Sequence, residues 1–501
     1  MASADRTQEA RAPLWWALVA GLAFAVVATA GVPLAGFDIG GWDADYFSGQ
    51  VTWASLFAGS FIGGAVLWWL LVMRPQRVSL LRGAVTGVGV AILAYPLVFA
   101  IAGLARRASP LDAPGERTLQ VLELSALGLL TTGFGTTLLM AVTGAVLAFA
   151  LRPVFPVAPV PVGGIGRKLA KAAGFIAGSI VGLLLLCFLV LSFLPLNGAS
   201  LGAAAAAGAA ATHDEALAAF ETVKAREAQL DLHPRCNSVL LTHGSKAARV
   251  VVLLHGFTSC PAQYDELAPK LFALGYNVYV PLLPRHGEAD RLTLALAGLT
   301  AEELVATTTE ALGIAGGLGE HVSIAGLSGG GTMAAWAGQN RADAGAILAM
   351  APFLGPKGMP AWANRAAMNL MLVLPNIMVA WDPLEPEATP GIDYAYPRWA
   401  THGLAQFIRL GEVVAEEARH TAPVAPALGM LLNEADDAVS NDLARRLISQ
   451  WRTHGRQVEE TNLPRALGLD HDIIDPRQPA ANTALVYPII IDLLQRQAGA
   501  E

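Results

Sequence analysis

Charged residues are absent from five long stretches within the first 195 positions, and this absence limits the possible folds more than any motif does. The stretches are 14–34, 51–73, 83–105, 124–151 and 172–194. Each reaches the roughly 20 apolar residues that a helix needs to cross a bilayer. Only 15% of the chain is charged, whereas a soluble globular chain carries about a quarter. The sequence therefore predicts an N-terminal all-α transmembrane bundle of five helices over 1–195. The first run lacks a convincing cleavage site and four more follow it, so it reads as an anchor and not as a signal peptide.

Basic residues set the expected orientation. Arg6, Arg11, Arg74, Arg77, Arg82, Arg152, Arg167, Lys168 and Lys171 fall in the segments on one side. The other side holds Arg106, Arg107 and Arg117, together with Asp38, Asp43 and Asp45. This predicts a multi-pass cell-membrane protein with a cytoplasmic N-terminus, and everything after the fifth span outside the cytoplasm. No charged residue or histidine interrupts a span, which argues against a pump or carrier. Glycines recur at four-residue spacing, at Gly59 and Gly63, at Gly83 and Gly87, and at Gly174, Gly178 and Gly182; such spacing lets helices approach closely. The string AVTG occurs at 84–87 and again at 141–144, too short to establish a repeat. A net charge of −7 without a basic stripe gives nucleic-acid binding no support. Three cysteines exclude a multi-cysteine metal site. The expected partners are the lipid bilayer and a small substrate, and nothing in the sequence fixes the oligomeric state.

An alanine-rich stretch at 196–229 reads as a linker and stalk helix. From 230 to 501 the texture changes to short β-branched runs alternating with helical segments: RVVVLLHG, YNVYVPLLP, HVSIAG and AGAILAMAP are strands, and the intervening segments are helices. Alternation of this kind implies a mostly parallel sheet with helices on both faces. Sites in such sheets form beyond the carboxyl ends of the strands.

The segment IAGLSGGG follows that rule. It runs strand, Gly326-Leu327-Ser328-Gly329-Gly330, helix. A sharp strand-to-helix turn holds a serine hydroxyl out, provided that the residues two before and two after it are tiny. The same G-x-S-x-G pattern surrounds Ser200, but no strand precedes it there, so Ser200 is a decoy. A serine needs a base to take its proton, and the base needs a carboxylate to hold its tautomer. His471, in the loop LGLDHDIIDP, is the candidate base; Asp470 and Asp472 beside it read as loop residues. Asp436 and Asp437 both lie just past a strand, with Asp436 in the better register for the acid. The backbone amides of Gly329 and Phe257 are the candidate oxyanion donors. His255 and His286 read as structural residues of their turns, and Cys187 as a small apolar residue within the fifth span. Cys236 and Cys260, both outside the cytoplasm in this orientation, are either a disulfide or two buried thiols.

The pieces LLHGFTSCPAQY, YVPLLPRHG, IAGLSGGG, NEADDAVSN and LDHDIIDP occur in the order of the α/β-hydrolase superfamily. From about Asp231 onward the chain resembles its bacterial carboxylesterases and its monoacylglycerol-lipase-like or serine-aminopeptidase-like hydrolases. The resemblance implies a Ser328–Asp436–His471 triad, acyl-enzyme hydrolysis of a small ester without metal or organic cofactor, and an inserted cap at about 353–417. Peptidase or amidase activity is the alternative within the same fold. A catalytically silent membrane sensor or scaffold, and a transporter with an accessory domain, are the alternatives outside it. Three glycines after Ser328 depart from the commoner bulky follower. The resemblance does not extend to the membrane half.

Overall fold

The computed structural model describes residues 15–34, 49–73, 78–105, 121, 125, 133–151, 186–202, 210–381, 387, 389 and 392–498. The chain divides into two units, Met1–Val190 and Leu191–Glu501.

In the first unit the described parts of the first four apolar runs are helical: α1 (Trp15–Leu34), α2 (Gly49–Trp68), which continues as a π-helical turn over Trp69–Met73, α3 (Leu80–Ala105) and α4 (Gly133–Leu151). Among the described residues, the helices over Ala54–Met73 and Leu80–Val98 are long and apolar enough to cross a membrane. The stretches Trp15–Thr29, Leu139–Leu151 and Leu186–Ser200 are shorter apolar helices. Most of 124–132, all of 172–185, the glycines at 174, 178 and 182, and every basic residue of the orientation argument except Arg82 lie outside the described residues.

The four-residue glycine spacing has a direct use where α3 crosses α4. A Cβ placed on Gly83 would stand 2.1 Å from Gly144 O, and one on Gly87 only 1.8 Å from Met140 O. Only hydrogen fits at that distance, so the two backbones touch. The two AVTG strings meet at this crossing.

The second unit is built on a seven-stranded sheet of order β1-β3-β2-β4-β5-β8-β9. Its strands are β1 (Val239–Leu241), β2 (Ala247–Leu254), β3 (Tyr276–Val280), β4 (Gly319–Leu327), β5 (Ala346–Met350), β8 (Ala427–Asn433) and β9 (Glu459–Leu463). Only β1 runs antiparallel to its neighbour. Every residue of β3 and β5 is buried, so both faces of the sheet are covered. The helices are α5 (His213–Glu227), α6 (Leu267–Ala273), α7 (Ala301–Leu318), α8 (Gly329–Asn340), α9 (Ala361–Val373), α10 (Thr401–His420), α11 (Asn441–Thr453) and α12 (Thr483–Ala498). α7 begins as its sequence suggests: Thr300 and Glu303 form a reciprocal capping box that satisfies two amides of the first turn.

Two expected boundaries move. The stalk helix α5 is part of the enzyme-like body, because Ala216, Phe220 and Val223 are buried in the same core as the sheet. Phe220 meets the Tyr279 ring edge-on at 5.7 Å. Upstream of it, Leu201 is fully buried and its carbonyl accepts from Trp336 Nε1. The sequence predicts the helix here, but its alanine-rich composition gives no sign that its apolar side fits the core. At the other end, the cap expected at 353–417 stops near residue 400. α9 and the small antiparallel pair β6 (Met378–Ala380) and β7 (Arg398–Ala400) make up the insertion, whereas α10 buries Phe407, Ile408, Leu410 and Val414 in the main core.

Cys236 and Cys260 form a disulfide across a sequence separation of 24, buried beside Tyr394 and Ile392 of the insertion. Closing a loop of this size removes about 3 kcal/mol of unfolded-chain entropy. The Cys236→Ala/Cys260→Ala double variant is therefore expected to lower the unfolding midpoint of the second unit by several degrees. Calorimetry that finds the same midpoint with and without the bond would contradict this.

Candidate active site

The turn at the end of β4 sets the geometry. Ser328 has φ 56° and ψ −116°, a backbone region that costs a non-glycine residue on the order of 1–3 kcal/mol. Its surroundings hold it there. The Ser328 amide donates to Met350 O at 2.9 Å, and its carbonyl accepts from the amides of Phe353 and Thr332, each at 3.0 Å. The chain then turns at once into α8, whose first amides point toward the serine.

The flanking glycines follow from backbone contact. A Cβ on Gly326 would lie 2.2 Å from Gly330 O, and one on Gly330 would lie 2.1 Å from Leu254 O. The start of α8 thus rests on the end of β2. Gly329 is glycine for another reason: its Cβ would stand 2.7 Å from Cε1 of Phe407. An aromatic ring from α10 occupies the space that a bulky follower of the serine would need. Ser200, by contrast, sits on an exposed 3₁₀ turn and donates to Glu302 at 2.7 Å.

Beyond the ends of β8 and β9, the structure joins two of the expected residues. His471 Nδ1 lies 2.8 Å from Asp436 Oδ2. Asp436 Oδ1 accepts from the amides of Ala438 and Val439 at 2.9 and 3.0 Å. A carboxylate so held accepts a hydrogen bond from Nδ1–H of a neutral imidazole and leaves Nε2 with its lone pair. Asp437 has no such bond to the ring; burial, and then the charge of Asp436, push its carboxyl up. Burial on its own would lower the pKa of His471. The charge and hydrogen bond of Asp436, with Asp472 and Asp437 adding, outweigh it and leave the ring above the ordinary value. No hydrogen bond joins Ser328 to His471 among the described residues.

The amides of Phe257 and Gly329 donate to no protein acceptor among the described residues. Phe257 follows Gly256, whose Cβ, were there one, would stand 3.6 Å from Ser328 Cβ. Each of the two histidines near this loop is bonded to the backbone through Nδ1. His255 Nδ1 donates to Gly256 O at 2.9 Å while its Nε2 accepts from the Leu283 amide at 3.0 Å. Burial, then His286, hold it well below the usual histidine range. Burial brings His286 down to about 4, and its Nδ1 donates to Pro284 O.

Two residues that sequence reasoning passed over connect these parts. Gln263 Oε1 accepts from the Gly256 amide at 2.8 Å, and its Nε2 donates to Asp472 Oδ2 at 2.7 Å. The loop carrying Phe257 is thereby tied to the residue after His471. Asn433, fully buried at the end of β8, donates from Nδ2 to the carbonyls of Leu469 and Asp470, which fixes the other side of the His471 loop. A polar residue ending an apolar strand was the available signal for Asn433; Gln263 gave none.

This arrangement, a parallel sheet with a serine on a strained strand–helix turn and an acid–histidine pair beyond later strands, defines an α/β-hydrolase. Residues 251–481 match the model of the alpha/beta hydrolase family, and this part of the chain belongs to that superfamily. Several solved structures are similar to it. One comes from work on LipS and LipT, metagenome-derived lipolytic enzymes (19% identity, 53% of this chain and 99% of that one, TM-score 0.40). Another is a monoacylglycerol lipase of Paleococcus ferrophilus (18% identity, 54% and 100%, TM-score 0.39). A third is a soluble variant of the monoglyceride lipase of Saccharomyces cerevisiae (13% identity, 52% and 90%, TM-score 0.39). No curated protein sequence matches the chain.

The shared space of Gly329 and Phe407 makes a prediction. Gly329→Ala alone should destabilise the protein by about 1–3 kcal/mol through overpacking, and Phe407→Leu should recover most of that loss in the double variant. Thermal unfolding of the four proteins measures the coupling; strictly additive losses would show that the ring does not exclude the side chain.

Proposed function

We propose that the protein is a membrane-anchored serine hydrolase that cleaves carboxylic esters through an acyl-enzyme. The five apolar runs serve as the anchor, and the hydrolase body lies outside the cytoplasm. The observation that carries the chemistry is the Asp436–His471 hydrogen bond, together with a serine held on its strained turn above the free amides of a helix start.

In this scheme Ser328 Oγ attacks the ester carbonyl as His471 Nε2 takes its proton. Asp436 stabilises the imidazolium that results. The carbonyl oxygen becomes an oxyanion, received by the amides of Phe257 and Gly329; donors of this type are worth about 10²–10³ in rate each. His471 returns the proton to the leaving alcohol, and water, activated by the same ring, releases the acid. No step needs a metal or an organic cofactor. Gln263 acts at one remove, by holding the Phe257 loop in register with His471. The triad does not by itself choose ester over amide, so a panel containing both classes decides between esterase and peptidase.

A fluorophosphonate probe should label Ser328 in the wild type and not in Ser328→Ala. A folded wild type that neither takes the label nor turns over any ester would overturn the reading in favour of a silent scaffold.

The pH profile tests the base. Only neutral His471 accepts the serine proton, so kcat/KM should fall on acidification through a pKa above about 6.5. Asp472→Asn removes one of the charges that raise this pKa, and the acid limb should move to lower pH. An unmoved limb would exclude Asp472 from the electrostatics of the site.

A further inference from the structure

Helix α9 of the insertion carries a face that the reaction scheme leaves unused. Trp362 is 55% exposed and Val373 66% exposed. Residues 362, 365, 369 and 373 fall on one side of an α-helix. The two polar members of this row are turned to a particular task. Arg365 donates from Nη2 and Nε to Leu194 O, at 2.5 and 3.2 Å, and Asn369 Nδ2 donates to Leu191 O at 2.8 Å. Those carbonyls belong to the end of the helical segment 186–193, where a helix has no donors of its own left. Phe193, in the same turn, is 79% exposed.

That turn closes the apolar run 172–194, which contains no charged residue. If the run spans a bilayer, its last turn lies at the membrane surface, and so does α9, because two of its side chains are bonded there. Exposed Trp362 beside Arg365 is the composition found at such a boundary, with an amphipathic ring and a cation at headgroup level. We propose that the Trp362–Val373 face of α9 rests on the lipid bilayer at the headgroup–acyl boundary, and that esters held in that bilayer reach the site past this helix. The proposal rests on the membrane-anchored reading above and adds to it a named surface and its partner.

The test uses the full chain with Cys187→Ser, the remaining cysteines being joined to each other. Single cysteines are introduced as Trp362→Cys or Val373→Cys, with Leu274→Cys, an apolar site 41% exposed before β3, as the control. Each is labelled with bimane and reconstituted in phosphatidylcholine–phosphatidylglycerol vesicles containing a lipid nitroxide near the headgroup. Quenching at 362 and 373 is expected to exceed that at 274 by about threefold or more. Equal quenching at all three sites overturns the proposal. So does a label at 362 shielded from both lipid and water-soluble nitroxides, which would mean that a second copy or another protein covers the face. Failure of the protein to float with the vesicles rejects the anchor and the surface together. Fluorophosphonate labelling of Ser328 in the same samples reports the hydrolase reading separately: labelling without quenching rejects the surface alone, and quenching without labelling rejects the hydrolase alone. As a functional readout, Val373→Asp should lower turnover of a long-chain ester in vesicles by about tenfold while leaving a water-soluble short-chain ester unchanged.

Discussion

The hydrolase unit depends on one close approach, that of the Gly330 backbone to the carbonyl of Leu254. It stacks the first turn of α8 on the end of β2, and both Ser328 and the loop of Phe257 take their places from it. A methyl group at Gly330 would meet the Leu254 carbonyl and force the two elements apart. The strain at Ser328 is tolerated because hydrogen bonds to Met350, Phe353 and Thr332 fix the residue from three sides. Preorganisation here is a property of backbone packing, and the side chains come second.

The parts of this site that have a chain-local cause were legible in the sequence. A strand, a turn with glycines at both two-residue offsets and a helix start separate Ser328 from Ser200 without knowledge of any contact. Asp436 is distinguished from Asp437 by register alone, since the carboxylate that accepts the amides two and three residues on is the one facing the ring. What could not be read depends on pairs distant in sequence. Gln263 meets Asp472 across 209 positions, and Phe407 decides why residue 329 is glycine. The departure from the bulky follower stood out in the sequence, but its cause lay in α10. The alanine-rich stretch misled for a related reason. Alanine serves a solvated helix and a tightly packed one equally well, so composition did not say that α5 belongs to the core.

The site is also a junction of two loops, those of His471 and Phe257. Asn433 holds the loop of His471 to the end of β8, Gln263 holds the loop of Phe257 to Asp472, and the Cys236–Cys260 bond closes the same loop from its far side. Tyr394 of the insertion donates to Asp475, four residues beyond His471, and Arg477 bridges to the same carboxylate. The insertion is thereby joined to the segment that carries His471 by hydrogen bonds to a buried carboxylate, which are expensive to leave unmade.

The bond from Trp336 to Leu201 has a practical meaning for anyone who wishes to express the second unit alone. The indole and the leucine are both fully buried, so a chain begun at His213, or at residue 230, leaves a donor without an acceptor and a leucine-sized hole beneath α8. Only about six residues lie between the last apolar run and Leu201, a span of roughly 20 Å at full stretch. There is no spare length in which to cut. Excision of the α/β-hydrolase domain at either point is thus itself an alteration of its core.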